Sequence, residues 1–306
     1  MNKEQLWKNF NLGIELDIAG NFIYNSLKTI DEMQNFYYED EIFTFLYQIS
    51  VGIERLEKIV IILTEHNEIV NQKIFEKELK HHNHEKLLER IRKYHSVKFD
   101  KKHNNFIKIL SLFYKNMRYD RYILENIENY NQEKIELEKF INKYSTIKIK
   151  NDFPFDITQN NNEIKIFIGT VIKKIVLDFY NIIVIKAREE NIYIDDIRID
   201  SKAYKIFKKQ EFDFLNESIF WKELLIFILN NKNTSGVLKF IKDIEPLQFD
   251  PIMLSEYLNC FKDDLTKLKY IEEMETYHED IKNIKERKEI LELIGMYGID
   301  FDSNIN

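Results

Sequence analysis

Apolar residues recur at Ile42, Leu46, Ile49, Ile53, Leu56, Val60 and Leu63, in alternating steps of four and three. This repeat places all seven on one side of a helix that begins near Asp40, and such a stripe has to be covered by other helices. The pattern stops at His66-Asn67, so it reads as the core helix of a bundle and not as a long coiled coil. Helix breakers are scarce, with seven Gly and three Pro in 306 residues.

The same periodicity predicts a helix from Glu85 to Tyr94 with Leu87, Leu88 and Ile91 inward. A third helix is expected from about Asn104 to Tyr130, carried by Ile107, Leu110, Phe113/Tyr114, Met117, Arg121 and Leu124, and continuing to Phe140 and Ile141. Another follows Ile164, Ile168, Val171, Ile175, Phe179 and Ile182. Further helices are expected around 213–230, 234–243, 252–268 and 270–294, with Pro246 and Pro251 bracketing a turn. Residues 191–200 read as a loop. The fold class is all-α.

Residues 144–162 break the helical pattern. Ile147, Ile149, Phe153, Phe155 and Ile157 alternate through Pro154, and Gln159-Asn160-Asn161-Asn162 follows. This predicts an extended linker or short strand between a helical bundle at 1–143 and a C-terminal helical region at 163–306 that packs on the bundle or extends it.

Charge is segregated. Residues 73–108 hold eleven Lys/Arg against five Asp/Glu, together with five of the seven histidines, in a chain of net charge −7. Residues 211–306 hold eleven Lys/Arg against twenty Asp/Glu. The overall balance argues against a continuous basic surface that coats long nucleic acid, but it is compatible with a small basic cleft. The single cysteine, Cys260, permits no internal disulfide, and the first residues show no apolar leader. The longest apolar run, Ile59 to Leu63, is far below the roughly 20 residues needed to span a bilayer. A cytoplasmic protein without membrane partners is expected.

Three clusters carry possible chemistry. Arg90 and His95 are separated by four residues at the expected end of a helix inside the basic island. An imidazole can move protons near neutral pH while a guanidinium holds a phosphate, and neither step requires a metal. The bland alternative is a solvated helix end complementing the helix dipole. Arg118-Tyr119-Asp120-Arg121-Tyr122 puts two arginines on one helical face, able to clamp a phosphate while a tyrosine stacks on a base. Its alternative is a salt-bridge network centred on Asp120, with the tyrosines in the core. His81, His84 and Glu85 have helical spacing for a metal but would need further ligands, with His66 and His103 the available imidazoles. They read more economically as a polar helix start. There is no H-E-x-x-H, no cysteine pair and no acidic Ca²⁺ loop, so neither metal nor cofactor is expected. Phosphate-loop, dinucleotide and esterase signatures are also absent. Trp221, Phe220, Leu224, Leu225 and Phe227 read as core.

The segment Phe45–Lys58 resembles the HEPN-superfamily helix that carries a G-x-E-x-x-x-K pattern, here Gly52, Glu54 and Lys58. The helix opening His84-Glu85-Lys86-Leu87-Leu88 and the cluster Arg118–Tyr122 follow in the order that family shows. The resemblance spans roughly residues 30–130. It implies an all-α, dimeric fold and, in many members, a metal-independent endoribonuclease of toxin–antitoxin or antiviral defence systems. It also implies an Arg/His motif from each subunit lining one cleft, matched here by Arg90 and His95. RNA, a second copy of the chain and a cognate inhibitor or defence-system protein are the implied partners, with Arg92, Arg118, Arg121 and Tyr122 as substrate-binding residues. Active members usually place Asn, Asp or His after the arginine, where this chain has Ile91. That departure favours the competing expectation, a non-catalytic helical scaffold or interaction module.

Overall fold

The computed structural model describes residues 3–67, 70–127, 131–152, 156–232, 236–261, 264–296, 299 and 301. Helix α1 (Lys3–Trp7) runs through a π-turn at Lys8–Leu12 into α2 (Gly13–Glu32), followed by α3 (Glu39–Glu65), α4 (Gln72–Leu79) and α5 (His84–Arg92). Then come α6 (Lys101–Leu112), α7 (Arg118–Asp120), α8 (Gln132–Tyr144), α9 (Asn162–Glu189) and α10 (Lys202–Tyr204). Among the described residues the regular structure is helical apart from a two-residue antiparallel ladder, β1 (Asn151–Asp152) and β2 (Asp156–Ile157).

The stripe from Ile42 to Leu63 is buried along its whole length, and α3 is the central helix. It packs against α2, α5, α8 and α9. Near its C-terminal end Ile59, Val60, Ile61, Ile62 and Leu63 are buried in succession, so the helix is enclosed on every side there. That enclosure is why the longest apolar run falls at this point. Each such side chain contributes roughly 1.5–3 kcal/mol through burial.

The expected boundary at 144–162 does not coincide with a division between compact units. The chain divides into residues Met1–Phe214 and Leu215–Asn306, and α9 lies in the first unit against α3. The asparagine tract explains this. Asn160 Nδ2 donates to the carbonyls of Ile30 (2.7 Å) and Met33 (3.0 Å), closing the end of α2. Asn161 accepts from the Ile164 amide at 3.1 Å and caps α9. The segment is therefore a clamp and a helix cap. Phe153, Pro154 and Phe155 lie outside the described residues.

The long helix expected over 104–130 also ends early. After α6 the backbone takes a π-turn at Phe113–Met117 and a single turn at α7, and Leu124 is exposed. The π-turn shifts the register, so residues beyond Met117 leave the buried face. Residues 128–130 lie outside the described part. The buried residue closing the α9 stripe is Ile183, with Ile182 only partly covered.

In the second unit, α11 (Leu215–Asn230) and α12 (Gly236–Asp243) fall where helices are expected, while α13 (Leu254–Asn259), α14 (Asp264–Glu279) and α15 (Ile284–Glu292) divide the stretch expected as two helices over 252–268 and 270–294. No residue of α11 is buried, so the core role expected for Trp221, Phe220 and Phe227 is not observed. The Trp221 ring stacks instead on Phe261, with centroids 6.3 Å apart. None of the described helices is long and apolar enough to cross a membrane.

Helices α2 and α10 approach through small residues, and a Cβ on Gly20 would lie 2.6 Å from the Ala203 Cα. Gly20→Val is expected to lower stability by roughly 2–3 kcal/mol in a denaturant melt, the cost of overpacking a close helix contact. An unchanged midpoint would show that the contact is looser than described.

Candidate functional site

Arg90 and His95 both fasten to the C-terminal end of α3, on consecutive residues. Arg90 Nε and Nη2 donate to Glu65 at 2.8 and 2.6 Å, and Nη1 lies 3.4 Å from Glu78. The guanidinium also covers the Phe75 ring at 5.4 Å. The hydrogen bond to Glu65 drives the Arg90 pKa further above its ordinary value. This cation is therefore neutralised internally, and a phosphate would have to displace Glu65. His95 Nε2 is hydrogen-bonded to Thr64 Oγ1 at 2.8 Å. Burial, with Lys186 nearby, holds His95 below the ordinary histidine value and keeps its imidazole neutral at pH 7. Arg92 turns to a different neighbour, donating to Asn104 at 2.8 Å beside the Phe99 ring.

Arg118, Arg121 and Tyr122 meet in a cavity of about 820 Å³ that they share with Tyr37, Phe43 and Lys134. Arg121 is ion-paired with the buried Glu133 and lies 3.5 Å from Glu39, not with Asp120. Asp120 instead accepts from Asn126 at 3.2 Å. Arg118 is held by aromatic faces, 4.1 Å from the Tyr114 ring and 4.6 Å from the Tyr119 ring, and donates to the Tyr119 hydroxyl at 2.8 Å. No carboxylate among the described residues pairs with it, and its buried Nε has no partner there. Tyr119 and Tyr122 are exposed, so the core role set against the phosphate-clamp reading is not what the rings do. A cation without a carboxylate partner beside exposed rings suits a nucleotide, whose phosphate and base need one of each.

The histidine segment forms a second site. His82 Nδ1 donates to both oxygens of Glu54, at 3.0 and 2.9 Å, and Lys58 Nζ donates to Glu54 at 2.6 Å. Glu54, Lys58, His82 and Tyr114 line a separate cavity of about 300 Å³. Burial raises the Glu54 pKa, but the hydrogen bonds and charges of Lys58 and His82 together outweigh it and leave the carboxyl below its ordinary value. One turn further along α3, Glu57 and His84 are fully buried, with Oε2 and Nδ1 2.8 Å apart. Burial holds the Glu57 carboxyl above its ordinary range. His84 is therefore turned into the core, while Glu85 is exposed. The metal geometry weighed for His81, His84 and Glu85 does not form, and no group of three metal-ligating side chains occurs among the described residues. The sequence signal for the Glu54–His82 site was present in the G-x-E-x-x-x-K spacing and the histidine run, but it gave no pairing between them.

No family model, curated protein or solved structure matches the chain, so the site is argued from its own geometry.

Removing one partner of the buried Glu57–His84 pair leaves the other buried and unmatched. His84→Leu is expected to cost about 3–5 kcal/mol in a chemical melt, and adding Glu57→Leu is expected to recover most of that loss. A His84→Leu protein as stable as wild type contradicts this. The pH dependence follows from His81, His95 and His103, all held below 6.5 chiefly by burial. Below that value the unfolded chain takes up protons that the folded chain refuses, so stability falls as pH drops through this window. The buried Glu57 carboxyl, held above its ordinary range, acts in the opposite direction, so the histidine part is read by difference: relative to wild type, the melting temperature of His95→Gln should be higher at about pH 5.5 than at about pH 7.5. A difference between the two proteins that does not change with pH would remove His95 from the pH dependence.

Proposed function

We propose that this chain is an RNA-binding helical module whose first unit takes single-stranded RNA in the Arg118–Arg121 cavity. The observation that carries the reading is Arg118, a cation without a carboxylate partner among the described residues, held against the Tyr114 and Tyr119 rings at a cavity of about 820 Å³ that the exposed Tyr122 also lines. A base stacks on an aromatic face whatever its identity, and the guanidinium meets the adjoining phosphate. Recognition of this kind tolerates many sequences and weakens with salt. Arg121 and Lys134 add positive potential, while Glu39 and Asp40 at the rim limit the footprint to a short strand.

Arg118→Ala is the informative change, because it leaves no buried carboxylate behind, whereas Arg121→Ala strands Glu133. Binding of a short uridine-rich RNA, followed by fluorescence anisotropy, should weaken by about 10-fold, with the salt slope reduced by about one. Equal affinity and equal salt slope for Arg118→Ala and wild type would sink the reading.

A second reading is a metal-independent endoribonuclease acting through Arg90 and His95 in a homodimer cleft. The observation in its favour is that Thr64 and Glu65 hold the two side chains at one helix end, with His95 neutral. Cleavage of total RNA in EDTA at the same rate by His95→Ala and wild type removes His95 from any such mechanism.

A further inference from the structure

We propose that the cavity between the start of α2 and the second half of α3 binds a free amino acid with an apolar side chain, held as its zwitterion. The site is separate from the Arg118 cavity, and the proposal does not depend on the RNA-binding reading.

The sequence brings both signs of charge to an apolar groove. At Gly52 the helices α2 and α3 approach closely, since a Cβ there would lie 2.7 Å from the Ile23 Cγ1. The groove begins beside this contact. Val51, Arg55, Lys58 and Ile62 follow one another at steps of four, three and four, so one face of α3 carries two cations between two apolar residues. Leu12 and Ile59 complete the apolar wall, and Glu15 and Glu54 bring two carboxylates. His82 and Tyr114 bound the remaining side, with ring centroids 4.5 Å apart. The space enclosed is about 300 Å³, at the lower end of small-molecule sites and suited to a ligand the size of an amino acid.

Charge balance selects the ligand class. Arg55 pairs with Glu15, and Lys58 Nζ donates to Glu54 at 2.6 Å. A lone anion or a lone cation placed between two such pairs is repelled by one member of each as it is attracted by the other. A zwitterion can lie antiparallel to the pairs, with its carboxylate against the cations and its ammonium against the carboxylates, so that both ends are attracted. Arg55 fixes the polarity. Its Nε is buried without a partner among the described residues, and an N–H left in this way is satisfied by a carboxylate oxygen. At the opposite pole Glu54 remains a carboxylate at neutral pH, because the hydrogen bonds and charges of Lys58 and His82 outweigh its burial. Arg55 and Glu15 are each about one-third exposed (32% and 39%), whereas Glu54 is largely covered (10%). The Arg55–Glu15 pair therefore stands at the entrance and Glu54 at the floor. The side chain of the ligand is left to the wall of Leu12, Val51, Ile59 and Ile62, and its burial there adds the apolar part of the affinity.

The test is titration calorimetry of the full chain with leucine, isoleucine, methionine and phenylalanine, with the ligand-dependent rise in melting temperature as a second readout. At least one of the four should bind saturably. Glycine, which offers both charges without a side chain, should bind at least about 10-fold more weakly. The deaminated acid and the decarboxylated amine of the tightest ligand each lack one charge, and each should also bind at least about 10-fold more weakly. Arg55→Gln and Glu15→Gln should each weaken binding by about 10-fold, and Val51→Phe, which fills the cavity, should abolish it, while Arg118→Ala stays within about twofold of wild type. Melting curves confirm that each variant is folded, and the ligand series on wild type needs no variant at all. Neither heat nor a rise in melting temperature with any of the four amino acids at millimolar concentration overturns the site. An acid or an amine that binds as tightly as its parent amino acid overturns the zwitterion. Binding that survives Val51→Phe, Arg55→Gln and Glu15→Gln alike puts the ligand elsewhere on the molecule and overturns the proposal as well.

Discussion

Two carboxylates, Glu54 and Glu57, sit on the central helix at positions that most helices would fill with apolar residues. A carboxylate taken out of water is costly unless it is paired, and the pairing available is with imidazoles two positions apart, in the loop before α5 and at its first residue. His82 reaches Glu54 and His84 reaches Glu57. The two pairs thus bracket the start of α5. Asn83 lies between the two histidines and accepts from the Lys86 amide at 3.0 Å, so the residue that spaces the pairs also caps the helix. The Glu85 amide then donates to Ser111 at 2.9 Å and brings α6 alongside. From α6 the π-turn delivers Tyr114 and Arg118 to the surface above His82. The candidate site is thus the outer end of a chain of polar contacts that starts inside the core.

The basic island divides by the same logic. Its net positive charge suggests a single binding surface, yet its arginines serve different purposes. Arg90 meets Glu65 and Glu78 and ties α4 and α5 to the end of α3. Arg92 ties α5 to the start of α6. Arg118 lies outside the island, is held by rings and has no carboxylate partner among the described residues. Stacking leaves the charge of a guanidinium available in a way that a bidentate carboxylate does not. Local charge density is therefore a weaker guide to a binding site than the kind of neighbour each cation has.

The same distinction accounts for what was legible in the sequence. The α3 and α9 stripes were readable because periodicity reports burial directly: every residue from Ile42 to Leu63 in the four-and-three pattern is covered. The early end of the third helix was not, since Phe113 and Met117 continue the apolar pattern through a π-turn that spacing alone cannot distinguish from an α-helix. Residues 144–162 hold the short ladder that their alternation suggests, but composition does not show that the asparagine amides close the end of α2 and cap α9. At the site, the helical spacing that puts Arg118 and Arg121 on one face is reflected in their lining one cavity with Tyr122. His82 gives no signal of its own in the sequence, because spacing relates only residues that are near each other in the chain. Its partner is 28 positions away.

The two carboxylates also show how one turn of helix can hold a structural group and a chemical one. Glu57 receives a single hydrogen bond, from His84, and keeps a second oxygen buried without a partner, so burial dominates and its carboxyl is held above the ordinary range. Glu54 receives hydrogen bonds from Lys58 and His82 at the lip of a cavity, so the same cost of burial is exceeded and its carboxyl lies below that range. Environments that push two like groups apart in this way are how one scaffold keeps one carboxylate charged beside another that resists ionisation. The charge on Glu54 adds to the cost of ionising Glu57, since the two repel. Lys58 and His82 are what keep the outer carboxyl below its ordinary range, while the fully buried pair joins α3 to α5.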